Sequence, residues 1–191
     1  MNWTVNYWPL CVLGAALAAS AVCDLRTGKI PNVITYAAVA VGLVGQTLAG
    51  GWSGDGRIGS LGTAGSLIGL AAGFLPMLFI WRAGGIGGGD AKLTGAIGAL
   101  AGWRFVLYAM FWSFLAAALL AVVIMVRRRV AKRTLSRVGR FLLLALLPGG
   151  KVDPAGPDSP RVPFGLALLI GSAAAVVQAF VGCAGAGKPL F

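Results

Sequence analysis

The sequence predicts an all-α, polytopic membrane protein of about six transmembrane helices, with both termini outside. Three observations carry that expectation. Of 191 residues, 58% are hydrophobic and only 11% charged, and the mean hydropathy is +0.87, a membrane composition rather than a soluble one. Apolar runs approaching the roughly 20 residues that a helix needs to cross the hydrocarbon recur along the chain. The 16 basic residues, set against 5 acidic ones, collect in alternate connections, as the positive-inside rule requires. In a soluble chain a net charge of +11 would suggest nucleic acid; in this one it suggests anionic lipid, and no nucleic-acid partner is expected.

The first span is read at 5–23. Ala19-Ser20-Ala21 offers small residues after an apolar run, but no basic residue precedes Arg26. The charge follows the run, which suits a spanning helix whose C-terminal end stays in the cytoplasm. Further spans are read at 32–49, 61–81, 89–103, 105–126 and 162–182. The fourth is short, and it crosses only if it begins near Gly88, which puts Asp90 in its first turn. Counting charges favours that choice: six spans place 13 of the 16 basic residues inside, against 10 if the fourth segment stays on one side.

Overlapping small-residue steps at Gly65, Gly69 and Gly73, and again at Gly98 and Gly102, suggest closely packed third and fourth helices. From Arg127 to Arg140 there are seven basic residues and no acid. Leu135, Val138 and Leu142 share one helical face there, so an interfacial amphipathic helix on anionic lipid is expected. Pro148-Gly149-Gly150 ends it, and the Pro- and Gly-rich stretch to Pro160 reads as loop. The organisation expected is one membrane-embedded domain over 1–191 with a basic cytoplasmic loop at about 127–161.

The chemistry is restricted by what is missing. With no histidine and no glutamate, histidine-dependent nucleophilic catalysis and histidine-containing zinc sites are excluded. Cys11, Cys23 and Cys183 form no CxxC pair, so neither a zinc ribbon nor a disulfide framework is suggested. No metal and no cofactor is expected. All five acids are aspartates, and Asp55, Asp153 and Asp158 fall in loops, where turn and solvent roles are ordinary.

Two aspartates differ. Asp24 ends the first helix before the basic turn Leu25-Arg26-Thr27-Gly28-Lys29 and the restart Ile30-Pro31-Asn32. Asp90 follows Gly84-Gly85-Ile86-Gly87-Gly88-Gly89 and precedes Ala91-Lys92. In the six-span topology both lie at the cytoplasmic boundary, where ionisable groups are costly and usually functional. Amide hydrolysis can use two such carboxyl groups, one ionised to accept a proton from water and one protonated to donate to the scissile carbonyl. The helix dipole favours the ionised form of Asp90, which makes it the expected base and Asp24 the acid. Gly87 and Gly89 are expected to shape the turn and admit a substrate backbone. Lys92 would pair with a carboxylate or a lipid phosphate, and Pro31 and Asn32 would restart the second helix, Asn32 as a local cap.

These two motifs, in this order, resemble the prepilin peptidases, the polytopic GxGD-class aspartic proteases that cut leader peptides from type IV pilin-like precursors. Val162-Pro163-Phe164-Gly165, entering the last span, is similar to a further family segment. The resemblance implies a membrane aspartic endopeptidase with Asp24 and Asp90 as its catalytic pair, in the cytoplasmic membrane. It also implies a precursor substrate with a basic leader and an apolar helix. Longer, bifunctional members carry a cytoplasmic domain with paired CxxC motifs and also N-methylate the mature pilin. This chain has only a short turn after Asp24 and no CxxC, so it resembles the short form of tight-adherence-type systems, and no methyltransferase activity is expected.

Three rival readings are weaker. A Walker-type phosphate loop requires Gly-Lys-Ser/Thr where Asp90-Ala91 stands, and nothing positions a serine for a Ser-Lys protease. A transporter or pilus-assembly subunit relaying protons or ions through the aspartates would need a polar path across the membrane, which the outer halves of the spans barely offer.

Overall fold

A computed structural model describes residues 7–127 and 164–186. All regular structure among them is helical: α1 (Trp8–Thr27), α2 (Asn32–Gly50), α3 (Gly62–Arg82), α4 (Gly88–Arg127) and α5 (Phe164–Ala186). The first four are long and apolar enough to cross a membrane, and a shorter apolar helix, Phe164–Ala179, lies within α5. The chain divides into two compact units, Met1–Ala116 with Pro163–Phe191, and Ala117–Val162. Of the second unit only the end of α4, up to Arg127, is described. The expected basic interfacial helix falls outside the described residues, as do Asp153 and Asp158.

Local chemistry sets the helix ends. Gly28 adopts φ 64°, a left-handed conformation that suits glycine, and its N–H returns to the Asp24 carbonyl at 2.8 Å, closing α1. Pro31, extended at φ −63° and ψ 131°, then opens α2. Asn32 therefore starts α2 as its first helical residue, and no side-chain cap bonds that end. The local cap expected of Asn32 is replaced by a bond elsewhere, described below.

A continuous helix of 40 residues would be roughly 60 Å long, twice the ~30 Å hydrocarbon core. It is not continuous. Gly102 has φ 87° and ψ 169°, outside helical space, and divides α4 into limbs at 88–101 and 103–127. Gly73 of α3 shows how sharply the chain turns. A Cβ placed there would meet the Thr94 carbonyl on one limb and, at 3.0 Å, Val106 on the other. Twelve residues of straight helix would hold those two neighbours roughly 18 Å apart. The separation expected near Arg104 thus falls at Gly102, because the break needs a positive φ that arginine tolerates poorly.

The first limb is the centre of the bundle. From Ala91 to Gly102 every residue except Lys92 is buried, with Leu93, Ile97 and Leu100 fully enclosed. It runs parallel to α2, whose Gly42 admits Ala99 and Leu100, and antiparallel to α3. Gly69 and Gly98 meet backbone to backbone, so that a Cβ on either would strike the other's carbonyl. This is the close approach that the small-residue spacing anticipates. Gly65 takes no part, facing only Leu61, and Gly102 serves as the break.

That break exposes a polar cost. Ala99 and Leu100 lose the helical N–H partners that residues 103 and 104 would otherwise supply, and an unsatisfied carbonyl in an apolar medium costs several kcal/mol. Ser66 Oγ donates to the Ala99 carbonyl at 2.7 Å, and Gln46 Nε2 to the Leu100 carbonyl at 2.6 Å. Gln46 also accepts from the Leu61 N–H through Oε1 at 3.0 Å. Both side chains are fully buried.

Candidate active site

The opposite end of the first limb gathers the residues singled out in the sequence. Four elements meet there: the last turn of α1, the turn into α2, the start of α4 and the start of α5. Asp24 lies in the last turn of α1 because Gly28 closes the helix one turn later. Asp90 lies in the first turn of α4, where its N–H bonds back to the Gly87 carbonyl at 3.1 Å. Both are half-buried, and each is within electrostatic range of the other. Helix packing thus brings two acids 66 positions apart to one place.

Each carboxylate also accepts a backbone N–H. Gly87 N donates to Asp90 Oδ2 at 3.1 Å, a local turn that caps the limb carrying it. Gly165 N, in the first turn of α5, donates to Asp24 Oδ2 at 2.8 Å. The start of a helix therefore faces each carboxylate, so the dipole argument made for Asp90 extends to Asp24, where the negative end of α1 opposes it.

Among the supporting residues, several take partners that the sequence did not indicate. The left-handed glycine of the run is Gly84, at φ 79°, while Gly87 and Gly89 have no positive φ. The space left by Gly89 is taken by Ile30, whose Cβ would stand 3.0 Å from an added methyl, so it admits the α1–α2 turn. Within the protein, Lys92 turns to α2. Its Nζ donates to Asn32 Oδ1 at 2.8 Å and stands 4.9 Å from the centre of the Tyr36 ring, a cation–π distance. Asn32 and Tyr36 are four residues apart on one face of α2. The Asn32 side chain is therefore spent on α4, and the pair ties the start of α2 to the turn bearing Asp90. Pro31 opens α2, as described above.

Gly165, Ile30 and Tyr36 are the contributors that sequence reasoning did not assign. For Gly165 a signal existed, a glycine directly after Pro163-Phe164 at a helix start, but nothing in the sequence pairs it with Asp24. Among the described residues no three metal-ligating side chains come together, and Cys23, next to Asp24, is a free thiol. Chemically, the arrangement offers two interacting carboxyl groups, each anchored through one oxygen and open enough to meet water.

Residues 11–122, more than half of the chain, match the model of the type IV leader peptidase family. That stretch includes Asp24, Asp90 and every supporting residue above except Gly165. No curated protein and no solved structure matches the chain.

Proposed function

We propose, because the chain belongs to the type IV leader peptidase family, that it is an aspartic endopeptidase in which Asp24 and Asp90 activate water. Leader peptidase activity on prepilin-like substrates follows from the family; the chemistry and its setting are our reading. One carboxylate takes a proton from water as it attacks the scissile carbonyl. The other, protonated, donates a hydrogen bond to the developing oxyanion and then a proton to the leaving amine. Two acids at close range favour that shared-proton state, since full ionisation would set like charges together.

The observation that carries this reading is the convergence of Asp24 and Asp90 from α1 and α4, each oriented by a backbone N–H. The substrate we propose is a precursor of the tight-adherence pilin type, with a basic leader and an apolar helix, cut at the cytoplasmic face of the inner membrane. Six spans, with termini outside, would put the pair on that face. The short turn between Asp24 and Asn32 holds no CxxC domain, so cleavage without N-methylation is the activity proposed. The basic segment at 127–140 would rest on anionic lipid.

The test is co-expression with a candidate precursor and a size-shift assay. Asp24→Asn and Asp90→Asn each abolish cleavage while the amount of inserted protein stays at the wild-type level. Normal processing by either variant would refute the proposal.

A further inference from the structure

The bond between Asp24 and Gly165 joins residues 141 positions apart, and its Gly165 end lies outside the stretch that matches the family. Gly165 is buried and follows the first residue of α5. Its N–H is therefore one of the four at a helix start that have no acceptor within the helix. A side chain just before the helix normally takes such a group. Here the acceptor is Asp24 Oδ2, at 2.8 Å, from a different helix.

The fit is tight enough that a side chain would displace its neighbour. A Cβ at residue 165 would stand 3.0 Å from Asp24 Oδ2, 3.1 Å from its Cβ and 3.3 Å from its Cγ. It would press on the length of the carboxylate rather than on one flexible tip. Gly87 does the corresponding service for Asp90, but from three residues away, so that bond travels with its own turn. Asp24 has its anchor on another element, and its direction depends on where α5 begins.

We infer that Gly165 is the positioning residue of Asp24: its N–H fixes the carboxylate's direction, and its missing side chain lets the carboxylate approach the start of α5. The inference rests on the reading of Asp24 as catalytic. A bare structural role, with Asp24 serving only to cap α5, would give different results.

The experiment compares Gly165→Ala with Asp24→Asn in purified, lipid-reconstituted protein. Alanine keeps the N–H but pushes the carboxylate aside, so kcat falls about ten- to hundredfold, as sub-ångström to ångström misplacement does, while KM stays within about twofold. In protein labelled with ¹³C at the aspartate carboxyls, five signals are expected from the five aspartates. The Asp24 signal, identified by its loss in Asp24→Asn, shifts in Gly165→Ala. Wild-type kcat in Gly165→Ala beside an inactive Asp24→Asn overturns the positioning role and leaves the peptidase reading intact. An active Asp24→Asn removes the peptidase reading itself. A loss of activity that only tracks the folded fraction, with kcat per folded molecule and the Asp24 signal unchanged, also overturns the inference. If Gly165→Ala does not accumulate, the Gly165 amide is followed in Asp24→Ala. Amide exchange faster by about tenfold supports the bond's role, and an unchanged amide overturns it.

Discussion

Replacing Gln46 with leucine tests the account of the broken fourth helix. Gln46 is fully buried and serves two backbone groups, the Leu100 carbonyl at 2.6 Å and the Leu61 N–H at 3.0 Å. Leucine has nearly the same volume, so little cavity cost arises and the effect is mostly polar. Each buried group left without a partner costs about 1–3 kcal/mol, and two give about 2–6 kcal/mol. The assay is reversible unfolding in mixed micelles by a denaturing detergent, read by tryptophan fluorescence. Ser66→Ala strips only the Ala99 carbonyl and is expected to cost about 1–3 kcal/mol. A Gln46→Leu protein within about 1 kcal/mol of wild type would refute the reasoning, since the carbonyls orphaned at Gly102 would then have found other partners.

Two further outcomes concern the packing of the bundle and the tether at its functional end. Lys92→Met and Asn32→Ala break the same bond, so each should lower kcat/KM by about tenfold, the equivalent of ~1.4 kcal/mol, and the double variant should be no worse than the weaker single. Fully additive losses in a cleavage assay would show that the two residues act separately. Gly98→Ala drives a methyl into the Gly69 carbonyl and should destabilise by about 1–3 kcal/mol or more. Gly14→Ala meets nothing within 4 Å and should be neutral or stabilising by up to about 1 kcal/mol; equal effects in the detergent unfolding assay would contradict the close approach at Gly98.

Much of this arrangement was legible in the sequence because it depends on local chemistry. Helix ends followed glycine and proline: Gly28 and Pro31 bracket the α1–α2 turn, and the run from Gly84 separates α3 from α4. Asp24 and Asp90 stood out because acids are scarce and sit beside such ends. The partners of those side chains were less legible, since they depend on how helices pack. Lys92 meets Asn32 and Tyr36 only because α2 and the first limb of α4 run side by side, and Asp24 meets Gly165 only because α1 lies against α5. Gln46 and Ser66 escaped the sequence reading, because their purpose exists only once Gly102 strips the carbonyls they serve. The break itself was displaced by two residues, since Arg104 advertises a chain reversal by charge whereas Gly102 performs it by backbone geometry.

The seclusion of the first limb of α4 has a mechanical meaning. At roughly 21 Å for its 14 residues, it would be too short for a bilayer if lipid touched it, and membranes of different thickness would pull on it. From Leu93 onward protein insulates it, so thinning or thickening of the membrane acts on the tilt of the outer helices first. The height at which Asp90 sits is thus referenced to α2 and α3 rather than to the lipid, and its alignment with Asp24 is carried by the protein's own frame.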